Sequence, residues 1–131
     1  MVVLYHYTTK SSLNGIKADK VIYQSTRKQR DAVLGPGVYL TSLNPNDHSK
    51  KSIAANNWRE GKDSRMTDGY LDYYIEIQID DDHRRLRKCH DRDDRDLYRF
   101  DGDIYLGEFE KVLTSCYVNN LSAAIISISI F

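Results

Sequence analysis

Four places in the chain carry side chains whose types and spacing suit chemistry: His6, Tyr39, the group Ser49, Ser52 and Trp58, and Asp103. His6 lies within the β-branched and aromatic run Leu4-Tyr5-His6-Tyr7-Thr8, and an imidazole there can donate, accept or carry a proton near neutral pH. Tyr39 follows the paired-glycine turn Gly35-Pro36-Gly37. Glycine lets the backbone turn sharply and approach a ligand without a Cβ in the way. The tyrosine ring then presents a flat apolar surface with a polar tip. Asp103 offers a carboxylate just ahead of Ile104-Tyr105-Leu106, with Asp101 and Glu108 as neighbouring alternatives. Each feature also has a structural reading. A strand histidine can be a satisfied core residue, the glycine turn can close a hairpin before a core tyrosine, and Trp58 can pack on an amphipathic helix.

Several function classes are excluded by what the sequence lacks. It has no Gly-x-Gly-x-x-Gly fingerprint, P-loop, nucleophile elbow or metal-ligand cluster, so no metal is expected. Cys89 and Cys116 are too few for a disulfide framework and fit no zinc spacing, which predicts free thiols in a reducing compartment. Nineteen basic residues balance nineteen acidic ones, so no net field recruits nucleic acid or an anionic membrane. No apolar run approaches the roughly 18 residues of a membrane span, and the N-terminus has no signal-peptide pattern. The expectation is a single cytoplasmic domain over residues 1–131, monomeric and large enough for its own core. A delivered or secreted effector domain would have the same composition.

The candidate residues need elements to position them, and the sequence predicts short ones. Val2 to Thr8 reads as a first strand. Ser11 or Ser12 caps a helix through about Ala18, with Leu13 and Ile16 inward. Val21 to Ser25 and Val38 to Leu43 read as strands around the glycine turn. Asn46 or Asp47 caps a second helix through Trp58, with Ile53 and Ala54 inward. Arg59 to Gly69 reads as a charged surface loop. The clearest strand is Tyr70 to Ile79, where Leu71, Tyr73, Ile75, Ile77 and Ile79 alternate with Asp72, Tyr74, Glu76 and Gln78. Asp80 to Asp96 reads as a mobile charged excursion. Leu97 to Phe100, Ile104 to Leu106, Phe109 to Val118 and Ala123 to Phe131 add strand material. Two short helices among many strands make an α+β domain with a mainly antiparallel sheet.

These segments resemble the ADP-ribosyltransferase superfamily of the diphtheria-toxin and poly-ADP-ribose-polymerase type. Leu4-Tyr5-His6-Tyr7-Thr8 resembles its first catalytic strand, and Gly35-Pro36-Gly37-Val38-Tyr39-Leu40-Thr41 its Gly-x-Gly-Ile-Tyr-Phe-Ala strand. Ser49-Lys50-Lys51-Ser52-Ile53-Ala54-Ala55 with Trp58 is similar to the Ser-Lys-Ser-Ala helix that follows. Gly102-Asp103-Ile104-Tyr105-Leu106 is similar to the strand bearing the third catalytic residue. The likeness spans roughly residues 3 to 112 and is nearest to small bacterial-toxin-type domains with a His-Tyr-Asp signature. It implies the split, mainly antiparallel β-sheet of that fold with a few short helices.

The resemblance also implies roles. His6 would bond a ribose hydroxyl of NAD while the Tyr7 backbone, where relatives often have Gly, grips the nicotinamide amide beside Thr8. Tyr39, after Gly37, would stack on the nicotinamide, with Trp58 on the opposite side and Ser49 or Ser52 bonding the carboxamide. Asp103 would bond the ribose 2′-hydroxyl and stabilise positive charge as the glycosidic bond breaks. Arg30, in the basic run Arg27-Lys28-Gln29-Arg30, would meet the NAD pyrophosphate if that run is more than a solvated loop. The run His83 to Lys88 has the same two readings, with a target macromolecule as its partner. The implied activity is mono-ADP-ribosyl transfer from NAD, as substrate, to an unknown protein or nucleic-acid acceptor, without a membrane partner. Alternatives are an NAD glycohydrolase using water, an inactive NAD- or ADP-ribose-binding module, and, more distantly, the RNA 2′-phosphotransferase branch.

Overall fold

The computed structural model describes residues 1–26, 35–58, 62–90 and 93–117, and the backbone of 127–129. In chain order the elements are β1 (Val2–Thr8), α1 (Lys10–Asp19), β2 (Val21–Ile22), β3 (Val38–Leu40), α2 (Lys50–Asn57) and α3 (Lys62–Thr67). Then come β4 (Tyr73–Ile79), β5 (Leu86–Lys88), β6 (Tyr98–Phe100), β7 (Ile104–Tyr105), a 3₁₀ turn (Leu106–Glu108), β8 (Val112–Cys116) and β9 (Ser127–Ser129). The strands form three antiparallel groups: a four-stranded sheet ordered β1-β4-β8-β9, a three-stranded sheet β3-β6-β5 and the pair β2-β7. The α+β class and the antiparallel sheets agree with the sequence expectation.

The alternation in β4 sets the layers. Ile75, Ile77 and Ile79 are fully buried on one face, with Leu4 of β1, and join Leu13, Ile16, Val38, Leu40 and Phe100 in the main core. The opposite face carries Tyr7 and Tyr74, which pack with Ile53, Leu71 and Tyr117 in a second cluster beneath α2. Strand β1 therefore separates two apolar layers. Its in-register pairing with β4, from Val2 opposite Ile79 to Thr8 opposite Tyr73, fixes which residues face which layer.

Two backbone bridges join the sheets. Tyr5 N–H donates to the Thr41 carbonyl at 2.8 Å, and Thr41 N–H returns to the Tyr5 carbonyl at 3.0 Å. Ser25 and Gly37 exchange a similar pair at 2.8 and 3.1 Å. At Gly37, φ is +156° and an added Cβ would meet the Phe100 carbonyl oxygen at 2.7 Å. The glycine turn thus brings backbone against backbone, packing β3 onto β6.

Several local expectations change. Thr9, not Ser11 or Ser12, caps α1 by accepting from Ser12 N–H at 3.1 Å. Ser49 caps α2 in the same way. Asn44, whose side-chain oxygen accepts from Asn46 and Asp47 N–H at 3.0 and 2.8 Å, builds a turn in place of the expected cap at Asn46 or Asp47. The expected loop from Arg59 to Gly69 contains α3, with Asp63 in its first turn. The charged excursion contributes β5: Leu86 is buried opposite Phe100, and the His83 ring packs on Phe100 and Phe109, so a few side chains anchor an otherwise polar segment. Ala123 to Phe131 is described only in the backbone of β9.

Gly37→Ala is expected to destabilise the domain by about 1–3 kcal/mol, because the carbonyl it would strike is fixed in β6. Gly15→Ala, inside α1 with open space around it, is expected to stabilise by about 0.4–1 kcal/mol. Denaturant midpoints of the two variants check this, and equal shifts would contradict the packing argument.

Candidate active site

Past the Tyr5–Thr41 bridge, β1 and β3 line a cleft with a cavity volume of about 260 Å³. Its walls include Tyr5, His6, Tyr7 and Thr8 from β1, and Tyr39 and Leu40 from β3. Ser12 of α1 and Ser25 lie at its edge, and Asn57, Trp58, Arg65, Tyr70, Arg95 and Leu97 complete it. The volume lies just below the ~300–1,000 Å³ common for small-molecule sites.

His6 is held by Tyr39. Its Nδ1 lies 3.0 Å from the Tyr39 carbonyl oxygen. A carbonyl only accepts, so Nδ1 carries the hydrogen and neutral Nε2 is left with a lone pair. Burial lowers the His6 pKa below its ordinary value of 6.5, and the bond to the Tyr39 carbonyl opposes this only in part. His6 is therefore neutral at pH 7. One hydrogen bond thus orients the imidazole and ties the two strands together.

Tyr39 is fixed through its hydroxyl, which donates to the Gly35 carbonyl. Gly35 itself has φ +107°, a left-handed conformation that favours glycine. On the other wall, Tyr7 donates its hydroxyl to the Leu43 carbonyl at 2.6 Å, and burial raises its pKa. Its ring is tilted against Tyr74 and Tyr117, with centroids 5.9 and 6.1 Å away. Tyr5 is likewise held neutral, its pKa raised by burial and by Glu76. The phenols beside the cleft supply shape and neutral hydroxyls rather than charge.

Trp58, the C-cap residue of α2, meets Tyr70 edge-on with centroids 6.2 Å apart. Arg65 of α3 is only 8 % exposed and lies over both rings, 4.6 Å from the Tyr70 centroid and 5.4 Å from that of Trp58. Arg95 donates through Nη1 to the carbonyls of Asn56 and Asn57 at 3.2 and 3.4 Å. Arg65, Tyr70 and Arg95 have no sequence signature as cleft residues. Their segments read as charged loops or a strand start; the packing of α3 beside α2 brings Arg65 and Tyr70 to Trp58, and bonds to the last carbonyls of α2 hold Arg95.

The other candidates lie outside the cleft lining. Ser49 and Ser52 are exposed and bonded to each other as the cap of α2. Gly37 serves the bridge to Ser25. Asp103 precedes β7, and its Oδ1 accepts from Gln24 N–H at 2.8 Å, one residue from the cleft-lining Ser25. Asp101 is engaged by Arg87 and Arg99 at 3.1 and 3.2 Å. Glu108 is exposed in the 3₁₀ turn. Arg30 falls outside the described residues. Among the described residues, no group of three or more His, Cys, Asp or Glu side chains is placed to hold a metal ion, and no helix is long and apolar enough to cross a membrane.

The family model described as "HYD1 signature containing ADP-ribosyltransferase" matches residues 4–107. The chain belongs to this family. No curated protein and no solved structure matches it. The matched span runs from β1 to the 3₁₀ turn after β7, so it contains every cleft-lining residue together with Asp103. The antiparallel sheets with few short helices are consistent with the ADP-ribosyltransferase fold. ADP-ribosyltransferases use NAD as substrate, which makes this cleft the place to seek its binding.

The partly buried, neutral His6 makes the transferase sensitive to acid. The unfolded chain takes up a proton near pH 6.5, whereas the folded chain does so only at lower pH, so stability is full above about 6.5 and falls on acidification. Urea midpoints at pH 7.5 and 5.5 are expected to differ more for the wild type than for His6→Gln. An identical pH dependence would contradict the neutral imidazole.

Proposed function

We propose that this domain is an NAD-dependent mono-ADP-ribosyltransferase in which His6, Tyr39 and Asp103 act on the nicotinamide riboside. Supporting it above all is the pairing of His6 with Tyr39, two residues of one cleft joined by the bond from Nδ1 to the Tyr39 carbonyl. With Nδ1 occupied, Nε2 can accept a hydrogen bond from a ribose hydroxyl. The Tyr39 ring, anchored through its hydroxyl, suits offset stacking on a flat nicotinamide, and Trp58 offers a second aromatic surface.

In the reaction the bond between ribose C1′ and the nicotinamide nitrogen breaks. Nicotinamide leaves with the electron pair, which neutralises its ring charge, and the ribose becomes oxocarbenium-like. An acceptor nucleophile then bonds C1′ and loses its proton. A carboxylate beside the ribose stabilises the cation. Asp103 fits this role better than Asp101, which two guanidinium groups already engage, or Glu108, which is exposed on the turn beyond β7. A carboxylate has about four lone-pair sites, so the bond from Gln24 leaves it acceptor capacity. The small-toxin likeness of the sequence favours transfer to a macromolecule of another cell, with delivery as an effector. Hydrolysis of NAD is the second reading, since water would use the same pocket.

The test is nicotinamide release from NAD, with and without candidate acceptors. Wild-type protein is expected to release nicotinamide, and His6→Ala, Tyr39→Ala and Asp103→Asn each to lose activity by on the order of 10²-fold or more. Tyr39→Phe, which keeps the ring, is expected to lose about 1 kcal/mol of stability and retain most activity. Acceptor-independent release would identify the hydrolase. Full activity in Asp103→Asn would remove Asp103 from the mechanism.

A further inference from the structure

Two side chains just outside the cleft, Asn56 and Asp96, tie its walls together. Both are half-buried, and neither lines the cavity. The Asn56 amide pairs with the backbone of Asp96 as a neighbouring strand would. Its Oδ1 accepts from Asp96 N–H at 2.8 Å, and its Nδ2 donates to the Asp96 carbonyl at 2.9 Å. The Asp96 carboxylate reaches the other way, to the segment that follows β3. Oδ1 accepts from Ser42 N–H at 2.9 Å and from the Thr41 hydroxyl at 3.3 Å, and Oδ2 accepts from the Ser42 hydroxyl. Asn56 Nδ2 also lies 3.3 Å from Thr41 Oγ1. Lys88 Nζ, 3.9 Å from Oδ1, is beyond hydrogen-bond range.

These bonds connect the two aromatic walls. Trp58 lies two residues after Asn56 at the end of α2, and Tyr39 lies two residues before Thr41 on β3. Along the chain the same two rings are separated by the turn at Asn44 and the whole of α2. The short route between them therefore runs through Asn56, Asp96 and the Thr41–Ser42 backbone. Bonds to an ionised carboxylate are the stronger kind, which makes this route the stiff one. We propose that Asn56 and Asp96 are positioning residues that set the width of the slot between Trp58 and Tyr39. For its effect on catalysis the proposal rests on the NAD reading above. A slot that grips the nicotinamide ring does so in the ground state and the transition state alike. Loosening it weakens substrate binding and leaves bond cleavage almost untouched.

Trp58 is the only tryptophan of the chain, so its fluorescence reports the slot without any ligand. Asp96→Ala removes the carboxylate, and Ser42→Ala removes one of its partners from the other side. Acrylamide is expected to quench Trp58 about twofold more efficiently in Asp96→Ala, with a smaller rise in Ser42→Ala. The KM for NAD, read by nicotinamide release, is expected to rise about tenfold and about threefold respectively, with kcat within about twofold of wild type. The double variant is expected to fall short of the product of the two, because both remove the same contact. Asp96→Asn keeps an acceptor for Ser42 N–H and a donor for the Ser42 hydroxyl oxygen, and is expected to restore quenching and KM. Unchanged quenching or KM in folded variants, or a fall in kcat at constant KM, overturns the proposal. Asp96→Asn as impaired as Asp96→Ala also overturns it, since charge rather than geometry is then the cause. If the wild type releases no nicotinamide, the NAD reading fails, and the quenching of Trp58 alone decides whether Asp96 sets the slot.

Discussion

The architecture depends on a small set of hydrogen bonds where β1 meets β3. Tyr5 and Thr41 exchange two backbone bonds, and one residue further along β1 His6 donates to the carbonyl of Tyr39, two residues before Thr41. On its other side β1 is paired with β4 along its whole length, so it cannot shift without breaking that register. On the β3 side, the described pairing of β1 is confined to this bridge. Beyond it the strands line a cleft instead of continuing a sheet. The bonds that join the two sheets also fix the state of the histidine in the cleft.

Physical demands differ along the walls. Near His6 and Tyr39, burial keeps groups neutral: the imidazole pKa is lowered, and those of Tyr5 and Tyr7 are raised. At the far wall a guanidinium remains inside, supported by aromatic faces.

Much of this was legible in the sequence where local chemistry dictates local structure. The period-two alternation from Tyr70 to Ile79 forecast β4 and its buried face, although the strand begins only at Tyr73. The order of Leu4-Tyr5-His6 and the glycine-flanked Tyr39 forecast two strands whose side chains share a cleft. What stayed hidden depends on tertiary contact. Arg65 looked like a surface charge because nothing nearby in sequence announces that Trp58 and Tyr70 will enclose it. The serines of Ser49-Lys50-Lys51-Ser52 looked like ligand contacts, yet one caps a helix by bonding the other's N–H. In the sequence the paired glycines suggest ligand approach, whereas in the fold Gly37 is required by the carbonyl of Phe100. Leu86 and His83 show how few apolar contacts anchor a segment whose composition is otherwise that of a solvated loop.

The central claim is that the junction of β1 and β3 receives the nicotinamide riboside of NAD. A crystal structure with a non-cleavable NAD analogue tests it most directly. The nicotinamide ring is expected to stack on Tyr39, with a ribose hydroxyl within hydrogen-bond distance of His6 Nε2 and His6 Nδ1 still bonded to the Tyr39 carbonyl. An analogue bound outside this cleft, or one whose nicotinamide contacts neither Tyr39 nor His6, would contradict it.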